Sequence, residues 1–170
     1  MQGARGKIGN SVSRQQDGNT IVSIYKVPYN PRTEKQQEGR GRFRKAVQYA
    51  KSALAEPKIK SLYEAAARQS KRKVYHTALS DYLTQPIVEW IDALPDSMEI
   101  RILVTNVITV MSVHIRILGH GEALSEEGEA HLDAAGTWRY TSHENLQTGN
   151  RLEIIVTDYP GNIVVCEWSC

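Results

Sequence analysis

Only two cysteines occur in 170 residues, and no apolar run approaches the roughly eighteen residues that a membrane-spanning helix requires. Cys166 and Cys170 stand close together, and on an extended strand they would lie about 13 Å apart, too far to bridge. Reduced thiols are therefore expected, with an intermolecular bridge through Cys170 as the other route. The N-terminal run M-Q-G-A-R-G-K-I-G-N has no hydrophobic segment behind its charges and does not read as a secretory signal. The expectation is a cytoplasmic protein without membrane contact, able to form part of a larger particle.

Motifs of chemistry are missing as well. There is no G-x-S-x-G elbow, P-loop or dinucleotide fingerprint. Gly3-x-x-Gly6 and Gly39-x-Gly41 lack the preceding strand and following helix that a phosphate cradle needs. Cys166 sits in an apolar run, where packing is the usual role. Zinc-ligand spacing, an aromatic RNP-like strand and a helix-turn-helix pattern are absent too. No catalytic residue, metal, cofactor or small-molecule substrate is expected.

What the sequence does hold is a strong polarity of charge. A hydrophobic content of 41% and a charged content of 24% are those of a folded globular chain. The net charge of +2 hides an asymmetry: residues 1–75 carry 17 Lys and Arg against 5 Asp and Glu, residues 76–170 carry 4 against 14. The front half is thus +12 and the rear half −10. Such a chain can bind polyanions with one half, bind copies of itself head to tail, or pack its halves on each other.

Residues 6–28 read as a β-hairpin turning at Asp17-Gly18-Asn19. A lone ribbon is marginal in water and has open edges, so Ile21, Ile24 and Tyr25 are candidate contact residues for other chain segments or a neighbour. Pro28 ends the hairpin. Asn30-Pro31 offers a helix start, and Thr33-x-x-Gln36 a second one. The helix should reach Ala55 with Phe43, Val47, Ala50 and Leu54 on its buried stripe. Gly39 and Gly41 within it suggest a frayed first turn or close approach of another backbone. Two more helices are expected, over about 58–69 and 71–83, completing a small bundle. After Pro86 the pattern alternates, predicting strands at 87–91, 98–105, 108–118, 122–131, 137–142, 151–158 and 163–169. Seven short strands in about 85 residues suggest an immunoglobulin-like β-sandwich, with Trp138, Tyr140 and Trp168 as inward or rim aromatics. The fold class is α+β, divided as a hairpin arm (1–29), a basic helical region (30–85) and a β-sandwich (86–170).

These residues carry a resemblance. G-K-I-G-N at 6–10, the hairpin, and N-P-R-T-E-x-Q-Q from Asn30, with Arg40 and Phe43 beyond it, resemble a group of uncharacterised bacterial proteins, many from Bacteroidetes genomes. The β region is similar to immunoglobulin-like repeats ending in D-x-P-G-N, here Asp158 to Asn162. The resemblance implies the hairpin–helix–sandwich layout and brings no established activity.

The main candidate site is basic: Arg40, Arg42, Arg44 and Lys45, then Lys71, Arg72 and Lys73. Arginine forks match phosphate oxygens, and clustered cations release counterions from nucleic acid; they equally suit the acidic half of another copy. His76, His114, His120, His131 and His143 include the pairs His120-x-Glu122 and Glu129-x-His131, yet a metal needs three or four converging ligands. Tyr49, Tyr63 and Tyr82 read as boundary residues with a buried ring and a wet hydroxyl. The functional expectation is a non-enzymatic assembly protein forming homo-oligomers. The alternative is a nucleic-acid-binding module.

Overall fold

The computed structural model describes residues 6–9, 11–16, 19–24 and 33–170. The chain divides into two compact units, Met1–Gly39 and Arg40–Cys170.

In the first unit β1 (Gly6–Ile8), β2 (Ser11–Gln16) and β3 (Asn19–Ile24) form an antiparallel sheet in that order. The expected two-stranded hairpin is three-stranded because its first run breaks at Gly9. That residue has a φ of 58°, which glycine adopts without a steric penalty, and Ile8 comes to lie opposite Ser11. Gln16 pairs with Asn19, the register of a two-residue loop. Asp17 and Gly18 lie outside the described residues, as do Tyr25 and the Asn30-Pro31 cap. Every residue of β3 is exposed.

Helix α1 (Glu34–Ala55) starts from Thr33, whose carbonyl accepts the amides of Gln36 and Gln37. Of the expected stripe, Ala50 is buried and Leu54 packs against the core, but Phe43 is 52% exposed and Ala46 and Ala53 take the remaining contact. The small alanines let Tyr63 and Ala78 of the next two helices come close. A phenylalanine ring would hold them apart. A Cβ at Gly39 or Gly41 would meet nothing within 4 Å among the described residues, so of the two alternatives the close approach of another backbone is not found there. Pro57 opens α2 (Pro57–Ser70), where its missing N–H loses no helical bond. Lys71 then takes a left-handed conformation (φ 53°, ψ 33°), and α3 (Val74–Leu83) begins three residues later. The helix expected over 71–83 is shorter because Lys71, Arg72 and Lys73 form the turn.

Eight strands follow, one more than expected: β4 (Ile87–Ala93), β5 (Glu99–Thr105), β6 (Ser112–Leu118), β7 (Leu124–Glu129), β8 (His131–Leu132), β9 (Trp138–Thr141), β10 (Arg151–Thr157) and β11 (Ile163–Ser169). They make two antiparallel four-stranded sheets, ordered β11-β10-β6-β7 and β4-β5-β9-β8. Successive hairpins alternate between the sheets, giving the expected β-sandwich. The run expected as one strand over 122–131 divides at Ala130, whose amide bonds Val113 O while the chain passes from one sheet to the other. Residues 108–111 leave the strand expected there because Ile108 turns away to join the helical core. Ile100, Ile102, Ile115, Leu152, Ile154 and Val156 are fully buried between the sheets. Burying each such side chain contributes about 1.5–3 kcal/mol. Trp138 and Tyr140 point inward, while Trp168 lies at the rim, 41% exposed. Ile108 and Tyr159, from sandwich loops, pack with Ala50, Ala53, Tyr63 and Ala78, so the helices and the sandwich belong to one compact unit. No helix among the described residues is long and apolar enough to cross a membrane.

Gly128 lies against the Tyr140 ring, and a Cβ there would stand 2.7 Å from Tyr140 Cε2. Gly128→Ala is expected to destabilise the sandwich by about 1–3 kcal/mol through overpacking. Chemical denaturation checks this, and an unchanged midpoint would show that the ring moves aside freely.

Candidate functional site

All seven candidate bases are exposed. Arg40 and Arg44 stand one helical turn apart on α1, whereas Lys71, Arg72 and Lys73 are consecutive at the α2–α3 turn. Arg42 has a structural task as well: its guanidinium donates to Leu83 O at 3.0 Å, satisfying a carbonyl that the last turn of α3 leaves open.

None of the seven enters an ion pair among the described residues. Within the helices only Glu64 is paired, with Lys60 and Arg68. In the sandwich all four arginines are engaged by its own carboxylates. Arg101 meets Asp92, and Arg116 meets Glu127 and Glu153. Arg139 meets Glu99 and Asp133, and Arg151 meets Glu122, Glu153 and Glu167. The helices do pack on the sandwich, but among the described residues no ion pair joins the two. Of the hairpin-edge candidates, Ile21 and Ile24 are exposed on β3; Tyr25 lies outside the described residues.

The helices meet the sandwich through a buried polar cluster that sequence reasoning missed. Tyr63 is fully buried, and its hydroxyl is not wet: it donates to Asp81 Oδ2 at 2.6 Å. Because that proton is committed, Tyr49 donates across the 2.7 Å hydroxyl–hydroxyl contact to Tyr63. Asp81 is fully buried, and its Oδ1 has no hydrogen-bond partner. Burial pushes the Asp81 carboxyl up to about 6, with Asp158 adding to the rise and the Tyr63 hydroxyl and the Ile108 amide opposing it. Burial also holds the Tyr63 phenol well above its ordinary value and takes Tyr49 to about 12. Asp158, equally buried, accepts the Asn162 amide at 2.6 Å and its side-chain Nδ2 at 2.8 Å. Asn162 reaches in turn to the carbonyls of Tyr82 and Thr84, at 3.4 and 3.2 Å. Asp158 and Asn162 were legible as turn residues, but nothing in the spacing linked them to Tyr63 or Asp81.

A concavity of about 270 Å³ is lined by Ser125, Glu126, His143, Asn145, Leu146 and Asn150 among others. Glu126 gathers three donors: the Tyr140 hydroxyl at 2.6 Å, the His143 amide and the His143 ring nitrogen Nδ1 at 2.8 Å. Burial raises its pKa, but these hydrogen bonds together bring it below the ordinary value, and burial with the Glu126 bond lifts Tyr140 to about 12. Glu129 faces His114 at 3.2 Å, Glu122 faces Arg151, and the His120 side chain is not among those described. Among the described residues no three His, Cys, Asp or Glu side chains converge as metal ligands would. Cys166 and Cys170 are free thiols, half buried, and burial raises the Cys170 pKa.

No protein-family model and no curated protein matches the chain. Among solved structures it is similar to CopC from Methylosinus trichosporium OB3b, at 19% identity and a TM-score of 0.41, over 49% of this chain and 89% of that one. An engineered protein matches at 19% identity and a TM-score of 0.37, over 50% of this chain and 20% of its own. A structure described as a protease matches at 13% identity and a TM-score of 0.33, over 51% of this chain and 18% of its own. The chain therefore spans about a fifth of the engineered protein and of the protease.

The Asp81 cluster yields a pH prediction. A carboxyl whose folded pKa lies near 6, against an ordinary 3.8, binds its proton more tightly in the folded chain. Its contribution to stability is full below pH 4 and is lost as pH rises through 6. Asp81→Asn removes that dependence. The stability of the variant relative to the parent is expected to improve by about 2–3 kcal/mol between pH 4 and pH 7. Denaturant titrations at the two pH values measure it, and a pH-independent difference would refute it.

Proposed function

We propose that this is a non-enzymatic structural protein that associates with copies of itself head to tail, as a ring, filament or particle component in the bacterial cytoplasm. Its basic N-terminal half meets the acidic sandwich of the next copy. The observation that carries this reading is that every ion pair among the described residues lies within α2 or within the sandwich, and none joins the two. Residues 40–85 hold eleven Lys and Arg against three Asp and Glu, and residues 86–170 hold four against thirteen. Unlike patches on one molecule attract across molecules, and such a heterologous contact continues from copy to copy unless its rotation closes a ring. Long-range attraction steers the encounter and weakens with salt, over about 10 Å at 0.1 M. The likeness to the bacterial group with G-K-x-G-N hairpins belongs to this same reading.

A second reading rests on the same exposed cations. Arg40, Arg42, Arg44, Lys45 and the consecutive Lys71, Arg72 and Lys73 could neutralise phosphates of a nucleic acid and release its counterions.

Light scattering of nuclease-treated protein at high concentration tests both. In low salt the mass is expected to exceed the monomer and to fall as salt is added. Arg40→Glu with Arg44→Glu and Lys45→Glu, which leaves the Arg42–Leu83 bond intact, is expected to give a monomer. A monomeric parent protein in low salt would overturn self-association. Large species that vanish on nuclease treatment would favour nucleic-acid binding.

A further inference from the structure

Six described strands stand at sheet edges: β1, β3, β4, β7, β8 and β11. Four are blunted against further pairing. β1 has three residues and β8 two. β7 carries Glu126, Glu127 and Glu129. β4 is broken by a bulge between Val88 and Trp90 and carries Glu89 and Asp92. Short length, charge and bulges are the devices by which edges refuse another strand.

β3 and β11 have little of this protection. β3 is six residues, N-T-I-V-S-I, with no charge, proline or glycine, and its register against β2 is unbroken. β11 runs seven residues in unbroken register with β10 and carries one charge, Glu167. Both hold apolar side chains in water: Val22 is 66% and Ile24 75% exposed, Ile163 59% and Val165 57%. β4 approaches β11 at the sandwich corner, but no ladder joins them.

We infer that β3 of one copy adds to the free edge of β11 in the next, extending the sheet β11-β10-β6-β7 by a fifth strand. An open edge of this length is filled by extended backbone, because its unpaired N–H and C=O groups repeat at strand spacing. Charge selects which strand. Residues 1–29 carry four Lys and Arg against one Asp, whereas residues 86–170 carry four against thirteen. Pairing β3 with β3, or β11 with β11, sets like-charged surrounds together, and pairing β3 with β11 sets unlike ones together. The inference rests on the proposed self-association and names its contact.

The test uses the full chain with Cys166→Ala and Cys170→Ala, carrying either Val22→Cys or Val165→Cys, under mild oxidation in low salt. Mixing the two single-cysteine chains is expected to give the cross-linked heterodimer as the main product. Homodimers of the Val165→Cys chain alone, or of the Val22→Cys chain alone, would overturn the inference in favour of like-with-like pairing. A chain carrying both cysteines that cross-links only within itself would also overturn it, as would no cross-link at all. Light scattering on the same samples separates the two levels: assemblies without a β3–β11 cross-link sink this contact alone, whereas monomers sink self-association too. In the native-cysteine chain, Val165→Lys is expected to weaken association about tenfold or more, a lysine at an edge being an effective block. Its melting temperature should stay unchanged, and undiminished association would count against the contact.

Discussion

Where the helices meet the sandwich, a fully buried carboxylate has no cation beside it. Asp81 is held by the Tyr63 hydroxyl on one oxygen, and its other oxygen has no partner. Burial disfavours the ionised form, which raises the carboxyl to about 6, so that below this pH a proton removes the charge. Nearby, Asp158 is satisfied by Asn162, and Asn162 binds the backbone just beyond and at the end of α3. Apolar contact alone would allow the three helices to slide across the sandwich loops. Directional bonds from α2, α3 and the β10–β11 turn favour one arrangement.

Building the junction from carboxyls, hydroxyls and amides, with no lysine or arginine, has a consequence at the surface. None of the lysines and arginines of the helices is used to tie the helices to the sandwich through a carboxylate. The sandwich, in turn, pairs its own four arginines with its own carboxylates and retains an excess of acid. The chain is thereby left electrically polar after folding. In the proposed assembly two ranges of force would act together: attraction between unlike patches would bring copies close, and main-chain bonding at an open edge would set their register. The first depends on salt and tolerates many geometries, while the second acts only at contact distance.

Much of this was legible from residue order. The helices, the sandwich and the ends of most strands follow from periodicity and from Pro57, Pro86 and the glycine turns, because those signals act over a few neighbouring residues. β11 has the bounds its alternation indicated. Other features were not legible for equally local reasons. Phe43 fits the helical stripe by spacing, yet alanines occupy the contact because the facing helices come too close for a ring. Ile108 continues a strand pattern but leaves it for the helical core, and Ala130 marks a change of sheet within what reads as one strand.

The polarity of charge, the α+β order and the basic cluster were determined by the sequence itself, since composition and short-range periodicity survive any arrangement of the parts. Tertiary structure alone decided which charges find partners. Tyr63 and Asp81 lie eighteen residues apart, and Glu126 and His143 seventeen. Only packing brings such pairs within 3 Å. Whether a lysine is neutralised is likewise a matter of what the fold places beside it, and the seven candidate bases form no ion pair among the described residues.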